Sequence, residues 1–487
     1  MLSKIPKSVL EILQKLQENS FEAYIVGGCV RDLLMDREPK DWDITTNAKP
    51  EEIIKIFPDS FYENKFFTVG IKTEDKKIPV VEVTTFRIEQ KYSDKRHPDE
   101  VKFAKSLAED LGRRDFTINA LAIRVNGPKV QKSKSEYEII DLFEGQRDLK
   151  NKFIRAVGNP NERFDEDALR MMRAIRFSSE LNFEIEAKTL EAIKNNSKNL
   201  QYVAEERIKD ELQKIILSDK PSEGIELFHE TGLLNFIIPE LEKGYGVKQN
   251  RHHIYTIYKH NLLSLKFCPS KKLEVRLAAL LHDIAKPQTK RGEGLDATFY
   301  NHDHVGKRVA EKILKRLRFS NGILDKTILL IDNHMFYYNP DEVGESSVRR
   351  LIKKVGLENI KDLIDLRISD RLGSGVPKAK PYKLRHLEYI VDKVSKDAIS
   401  VKMLKINGHD LMKVLKIKPG PKIGAILDVL LSEVIEDTKR NTKKYLSQRA
   451  LELDKENLDS LRKMAKEKIE EKKEEEDEEI KKKHWVK

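Results

Sequence analysis

Apolar residues near the start of the chain recur at helical spacing. Val9, Leu10, Leu13 and Leu16 fall on one face, which predicts an opening amphipathic helix. Between residues 20 and 150 short β-rich runs alternate with helical ones. AYIVGG reads as a strand into a glycine turn, VRDLLM as a helix, DWDIT as a strand and PEEIIKIF as a helix. KIPVVEVTTFR is another strand, and FTINALAIRV a helix running into a strand. Past about residue 151 the strands stop. EDALRMMRAIRFSSEL, EERIKDELQKIILS, KKLEVRLAALLHDIA and IGAILDVLLSEVIEDT all keep the helical period. The pattern predicts an α+β chain, a small mixed head followed by an all-helical remainder.

Length and composition narrow this picture. At 487 residues the chain has room for about three domains. With 39% hydrophobic and 36% charged residues it buries enough apolar surface to fold. Two cysteines, Cys29 and Cys268, exclude a disulfide framework and suit a reducing compartment. No apolar run approaches the ~20 residues of a membrane span, and the N-terminus lacks a signal-peptide core. A cytoplasmic protein is expected.

The net charge of +11 suits a polyanionic partner but does not choose between nucleic acid and membrane. Its distribution is more informative. Residues 1–150 sum to −1, 151–250 to −3, 251–350 to +7, 351–450 to +10 and 451–487 to −2. The tail, with EEKKEEEDEEIKKK, reads as a solvated single helix or a disordered segment.

Three features of the head carry chemistry. Gly27-Gly28 follows a strand and precedes Val30-Arg31-Asp32 at a helix start, where backbone N–H groups can approach phosphate and Arg31 can pair with it. Asp41-Trp42-Asp43 lies in a strand-like run, whose period of two puts both carboxylates on one face. Two such like charges are unfavourable together unless a cation separates them, and hard oxygens with substrate phosphate suit Mg²⁺. Glu82, in VVEVTTF, is a candidate third carboxylate. Taken alone, D-x-D also fits a solvated edge strand. Arg113-Arg114-Asp115 and Asn119 form the third feature, arginines for a triphosphate and polar groups for a ribose.

Taken in order, GG-x-V-R-D, D-x-D, V-E-V-T-T-F-R and R-R-D-F-T-x-N-A resemble the class II tRNA nucleotidyltransferases (CCA-adding enzymes) and the related bacterial poly(A) polymerases. DLFEGQRDLKNKFIRAVGNPNERFDEDALRMMRAIRF continues the family pattern, and the similarity is densest over residues 20–215. The resemblance implies a polymerase-beta-like head at 1–150 and a helical neck at 151–245. Beyond these it implies an HD domain at 246–400, a tRNA-binding body at 401–450 and a charged tail at 451–487.

It also implies a reaction: attack of an RNA 3′-hydroxyl on the α-phosphate of CTP or ATP, with Mg²⁺ on Asp41 and Asp43. Base choice falls to Asp167 and Arg170, three apart in a predicted helix and so on one face. Cytosine and adenine both present an amine beside a ring-nitrogen acceptor; guanine and uracil present the reverse. In the family Arg173 and Arg176 on the same helix reach the bound nucleotide. The segment IEQKYSDKRHPDEVKFAKSLAEDLG resembles the full-length flexible loop of CCA-adding enzymes, with Lys91, Lys95 and Arg96 near the triphosphate. That disfavours CC-only addition and ranks poly(A) polymerase lower, while A-only addition stays open.

In the second half, His282-Asp283 ends an apolar helix and resembles the core of the HD motif. His260 and Asp370 complete the order H…HD…D, with His302 and His334 as extra ligand positions. Imidazoles with carboxylates suit a divalent transition metal or Mg²⁺. The HD resemblance adds phosphohydrolase activity as a second expectation, or, as an alternative from another class, an HD phosphohydrolase with a nucleotide-binding head. MLKINGHDLMKVLKIKPGPKIGAILDVLL resembles the family's tRNA-contacting body. The expected partners are a tRNA 3′ end, CTP and ATP, with no membrane; nothing in the sequence sets an oligomeric state.

Overall fold

Strand pairing puts the glycine turn and the D-x-D segment side by side at one end of the sheet's two central strands. In chain order the head's strands are β1 (Ala23–Val26), β2 (Asp43–Thr46), β3 (Ser60–Glu63), β4 (Thr68–Lys72), β5 (Val80–Thr85), β6 (Arg87–Gln90), β7 (Glu100–Phe103), β8 (Leu121–Val125) and β9 (Tyr137–Asp141). Seven of them form a mixed sheet ordered β3-β4-β5-β2-β1-β8-β9, and β6 and β7 form a separate hairpin. β1 and β2 are antiparallel with Val26 opposite Asp43, so the residue entering the glycine turn faces the first residue of β2. β2 runs parallel to β5 with Asp43 opposite Glu82.

All four residues of β1 are buried, because both faces of the sheet are covered. On one face Ile25, Ile44, Val83 and Ile123 pack with the Lys7–Glu18 helix; on the other Tyr24, Val26, Phe86 and Leu111 form a smaller cluster. That opening helix buries Val9, Ile12, Leu13 and Leu16, with Leu10 only partly covered, so the apolar face is turned slightly from the expected one.

This computed structural model describes residues 2–63, 67–90, 100–126, 136–250, 254–375, 380–395, 401 and 404–486. The loop residues Lys91, Lys95 and Arg96 lie outside the described residues. Two compact units result, one of Met1–Ile331 with Gly373–Gly375, the other of Asp332–Leu372 with Val376–Lys487. No helix among the described residues is long and apolar enough to cross a membrane.

Two expectations need correction. The strands do not stop entirely at residue 151: Phe153–Ile154 pairs in parallel with Glu184–Ile185, a clasp too short to leave a period-two signal. The tail is neither disordered nor a lone solvated helix. Leu458–His484 is helical, with Leu461 buried near its start and Ile480 near its end. Near its end Lys483 and His484 pair with Asp392, and Asp477 accepts from Tyr389, both on the Tyr382–Ser395 helix. These anchors are too widely spaced to stand out in so charged a segment.

Candidate active site

A cavity of about 880 Å³ is lined by the turn after β1, the approach to β2 and the Leu169–Leu181 helix. Ten residues singled out in the sequence line it: Gly27, Gly28, Arg31, Asp41, Asp43, Arg114, Asp115, Asn119, Arg173 and Arg176. Gly27 adopts φ +82°, and a Cβ there would lie 2.9 Å from an Arg114 nitrogen. Any side chain would be strained and would push Arg114 away, so glycine is required by local geometry. The Gly28–Leu34 helix starts at this turn.

Asp43 begins β2, whereas Asp41 sits in the bend before it, with Trp42 buried between them. Burial pushes the Asp43 carboxyl above its ordinary range; Arg114 opposes this and Asp41 adds to it. Two carboxylates lining one cavity, one of them reluctant to ionise, are what a divalent cation would relieve. The residues therefore fit Mg²⁺. Glu82 pairs with Asp43 across the sheet but is exposed and is not among the lining residues.

Opposite stands a wall of guanidinium groups tied into one network. Arg31 donates to Asp32 and, at 2.8 Å, to Asn119, which donates to Asp115 at 3.2 Å. Asp115 accepts from Arg173 Nε at 2.7 Å. Phe177 lies beneath Arg31, Arg173 and Arg176, with guanidinium carbons 5.2, 5.5 and 4.3 Å from its ring centre, and meets Phe116 edge-on. Cation–π attraction offsets part of the repulsion among three cations packed so closely.

Burial alone would raise the Asp115 carboxyl, but Arg173 together with hydrogen bonds from Arg173 and Asn119 outweighs it and holds the group at about 2. A depressed carboxyl contributes stability above its unfolded value of about 4 and loses it as pH falls toward 2. The stability gap between the native chain and Asp115→Asn should therefore be full at neutral pH, at about 2 kcal/mol, and close between pH ~4 and ~2. Denaturant melts of both proteins across that range would check it; a gap independent of pH would contradict the pairing.

Four predicted residues stand outside the cavity lining: Glu82, Arg113, Asp167 and Arg170. Arg113 and Arg114 are both held by Asp110, a fully buried carboxylate. Asp167 and Arg170 do not share a helix face, which corrects the expected geometry. The first helix ends at Glu166, Asp167 is extended (φ −139°), and a second begins at Leu169. Arg170 turns to Glu166 at 2.6 Å and to the Arg113 carbonyl at 3.2 Å. The guanidinium beside Asp167 is that of Arg207, which donates to Oδ1 and Oδ2 at 3.2 and 2.8 Å.

A second cluster lies in the same unit. His260 Nε2 is 3.0 Å from His282 Nε2 and 3.2 Å from Asp283, and His302 Nε2 is 3.3 Å from Asp283. All four residues are buried. The Nδ1 atoms of His282 and His302 face the carbonyls of Ala279 and Phe299 at 3.0 and 2.7 Å. That fixes the tautomer and turns Nε2 of both rings inward as an acceptor. Convergent imidazole acceptors on a buried carboxylate fit a divalent metal. Lys286 also reaches Asp283, at 2.6 Å. His334 and Asp370 belong to the second unit, His334 buried and Asp370 paired with Arg367 at 2.9 Å.

Residues 23–155 match the poly A polymerase head domain, 182–244 a probable RNA and SrmB-binding site of polymerase A, and 297–450 a putative tRNA nucleotidyltransferase domain 2. The CCA-adding enzyme of Ligilactobacillus salivarius is 36% identical over 456 residues, 92% of this chain and 96% of that one. The chain belongs to the CCA-adding enzyme family. The family's Enterococcus faecalis member is 34% identical, over 91% of this chain and 96% of its own length. Against the CCA-adding enzyme of Limosilactobacillus reuteri the identity rises to 48%, but the chain then spans about half of that relative, 54% of it, and 47% of its own length.

The crystal structure of the Bacillus stearothermophilus CCA-adding enzyme in complex with CTP matches with a TM-score of 0.58 and 26% identity, covering 92% of this chain and 97% of that one. The Thermotoga maritima CCA-adding enzyme complexed with tRNA shares the fold at a TM-score of 0.53 and 20% identity, over 93% and 97%. The polymerase-beta-like head followed by helices is thus the CCA-adding enzyme fold. Sequence reasoning missed Asp110, Phe177 and Arg207, and the lining residues Glu180 and Lys214. Phe177 directly follows Arg176, but an apolar residue at helical spacing carries no sign of what rests on it.

Proposed function

We propose that this chain builds the CCA end of tRNA without a nucleic-acid template, taking C and A from CTP and ATP. The carrying observation is the cavity in which Asp41 and Asp43 face Arg31, Arg114, Arg173 and Arg176. Asp41 and Asp43 would hold Mg²⁺, which would lower the pKa of the attacking hydroxyl and neutralise charge on the leaving group. The 3′-oxygen forms a bond to the α-phosphorus, the α–β phosphoanhydride bond breaks, pyrophosphate leaves and the hydroxyl proton passes to solvent. The chain's own part is mainly positioning. The guanidinium wall holds the triphosphate, the glycine turn lets backbone approach it, and Asn119 and Asp115 are placed for the ribose.

Incubating the protein with tRNA ending at the discriminator base and each nucleotide separately tests this reading. Two C additions followed by one A are expected. Addition of A only to a CC-ended tRNA would make it the A-only enzyme, and a long A tract would make it a poly(A) polymerase.

We further propose that His260, His282, Asp283 and His302 hold a divalent metal, with phosphohydrolysis as the chemistry it would serve. Metal analysis of dialysed protein with Mn²⁺ or Ni²⁺ should give about one tightly held ion, lost in His282→Ala while CTP incorporation persists. Equal retention by both proteins would remove the proposal.

A further inference from the structure

The second unit carries a cleft of about 600 Å³ that no part of the nucleotidyl-transfer reading uses. Its walls are aromatic. Tyr337 is 68% and Tyr382 43% exposed, and Phe336 and Tyr338 lie beside them. These rings are not loose. The Tyr338 hydroxyl is 2.6 Å from Nδ1 of His386, whose ring in turn lies 5.7 Å from that of Tyr382. Burial raises the Tyr338 phenol to about 12, so it stays neutral in the physiological range.

Cations line the same cleft. Arg367, Arg371 and Lys383 are all at its wall. Arg367 is paired with Asp370 at 2.9 Å and stands 5.9 Å from the Phe336 ring centre. Arg371, one turn further along the Leu357–Gly373 helix, has a buried Nε with no hydrogen-bond partner. Burial and the neighbouring Arg367 both disfavour its charge, with Asp370 opposing. Asp370 pairs with Arg367, and Glu342, which accepts from the Tyr337 hydroxyl, interacts with Lys383. Three cations against two carboxylates leave the cleft one positive charge in excess, at Arg371, beside exposed rings.

A flat π-face next to an under-compensated guanidinium matches one ligand chemistry, a nucleobase with its phosphate. Aromatic rings alone would suit many apolar ligands, and arginines alone any anion. Their combination in a single cleft of this size suits a nucleotide. Because the wall of the second unit is open, as the exposure of Tyr337 and Tyr382 requires, a nucleotide still joined to its chain can enter.

We propose that this cleft seats one nucleotide of the tRNA, its base stacked on Tyr337 and Tyr382 and its phosphate held by Arg371, away from the nucleotidyl-transfer cavity in sequence and in unit. The proposal rests on the tRNA reading above. It gives the lysine- and arginine-rich second half a base-stacking contact in addition to backbone charge contacts.

The test is the Kd of the full chain for tRNA lacking CCA, measured by filter binding over a series of salt concentrations. Tyr337→Ala should weaken binding about tenfold while leaving the salt dependence unchanged, because stacking releases no counterions. Tyr337→Phe should bind within about twofold of the native chain, since the π-face is kept. Arg371→Gln should reduce the slope of log K against log salt by about one, the signature of one lost phosphate contact. The KM values for CTP and ATP should not change in any of the three, which separates a cleft effect from a damaged active site.

Native affinity in Tyr337→Ala, alongside normal CTP incorporation by the native chain, would overturn this proposal alone. Failure of the native chain to extend tRNA would overturn the tRNA reading and the proposal with it. Weakened binding in Tyr337→Ala that is matched by an equal loss in Tyr337→Phe would also overturn it, since the hydroxyl and not the ring would then be responsible. If AMP binds the cleft while tRNA affinity is native in every variant, the occupant is a free nucleotide and the proposal fails as stated.

Discussion

Asp43→Asn should abolish nucleotide addition and leave the protein at least as stable as before. The two effects have one cause. Asp43 starts β2 with most of its surface covered, and burial raises its carboxyl despite Arg114, with Asp41 adding like charge. A carboxyl whose folded value is raised opposes folding at every pH where it is ionised in the unfolded chain. Replacing it with the neutral amide removes that cost, so the melting temperature of the metal-free protein should stay the same or rise. Activity moves the other way. Without the carboxylate, one of the two hard-oxygen ligands for the cation is gone, and several kcal/mol of charge stabilisation, at least about a thousandfold in rate, goes with it.

A ligand arm separates this from a folding defect. Adding Mg²⁺ with CTP at about a hundred times Kd should stabilise the native protein by about 2.7 kcal/mol, and chelation should reverse it. In Asp43→Asn most of that gain should be missing. A variant that melts early, or one that still adds C at a rate near that of the native chain, would contradict the assignment of Asp43.

How much of this was legible in the sequence depended on whether a contact leaves a local trace. The head could be read because the turn at Gly27, the first residue of β2 and the arginine pair each carry chemistry at fixed short spacing, and pairing Val26 with Asp43 brings two of them together at the ends of adjacent strands. The helix face with Arg173 and Arg176 was legible for the same reason. The break at Asp167 was not. EDALRMMRAIRF keeps a helical period across it, and only the extended backbone at Asp167 reveals the interruption. Asp110 and Arg207 were hidden for a different reason. Arg207 reaches Asp167 forty residues earlier, whereas Asp110 holds Arg113 and Arg114 at i+3 and i+4, and an acid or arginine at an ordinary helical position looks the same whether it faces water or a buried partner. The packed tail belongs to this class: Asp392 and Tyr389 anchor it from a helix some ninety residues earlier.

The second large effect concerns base choice, and it follows from counting lone pairs on Asp167. A carboxylate has about four acceptor sites. Oδ1 receives Arg207 at 3.2 Å and the Leu169 amide at 3.1 Å; Oδ2 receives Arg207 at 2.8 Å. Oδ2 therefore keeps one site, and the fork of Arg207 fixes its direction. The family resemblance assigns base reading to this carboxylate, which is not among the lining residues of the cavity: an exocyclic amine of cytosine or adenine would donate to the remaining site, while the carbonyl of uracil or guanine would meet a carboxylate oxygen. The carboxylate also acts on Arg173, which lines the cavity.

Asp167→Ala should thus lower CTP and ATP incorporation and raise the share of UTP and GTP, shifting the ratio of kcat/KM between CTP and UTP by roughly ten- to a hundredfold. Arg207→Met, which keeps the length of the stem but frees the carboxylate, should erode the same ratio by about tenfold although Arg207 does not line the cavity. Total activity with CTP would fall less in Arg207→Met than in Asp167→Ala, because the acceptor survives and only its aim is lost. Competition between CTP and UTP on one tRNA reads the ratio directly. An unchanged ratio in Asp167→Ala would take base choice away from this carboxylate, and an unchanged ratio in Arg207→Met alone would leave Asp167 as the reader but assign its orientation to the Leu169 amide.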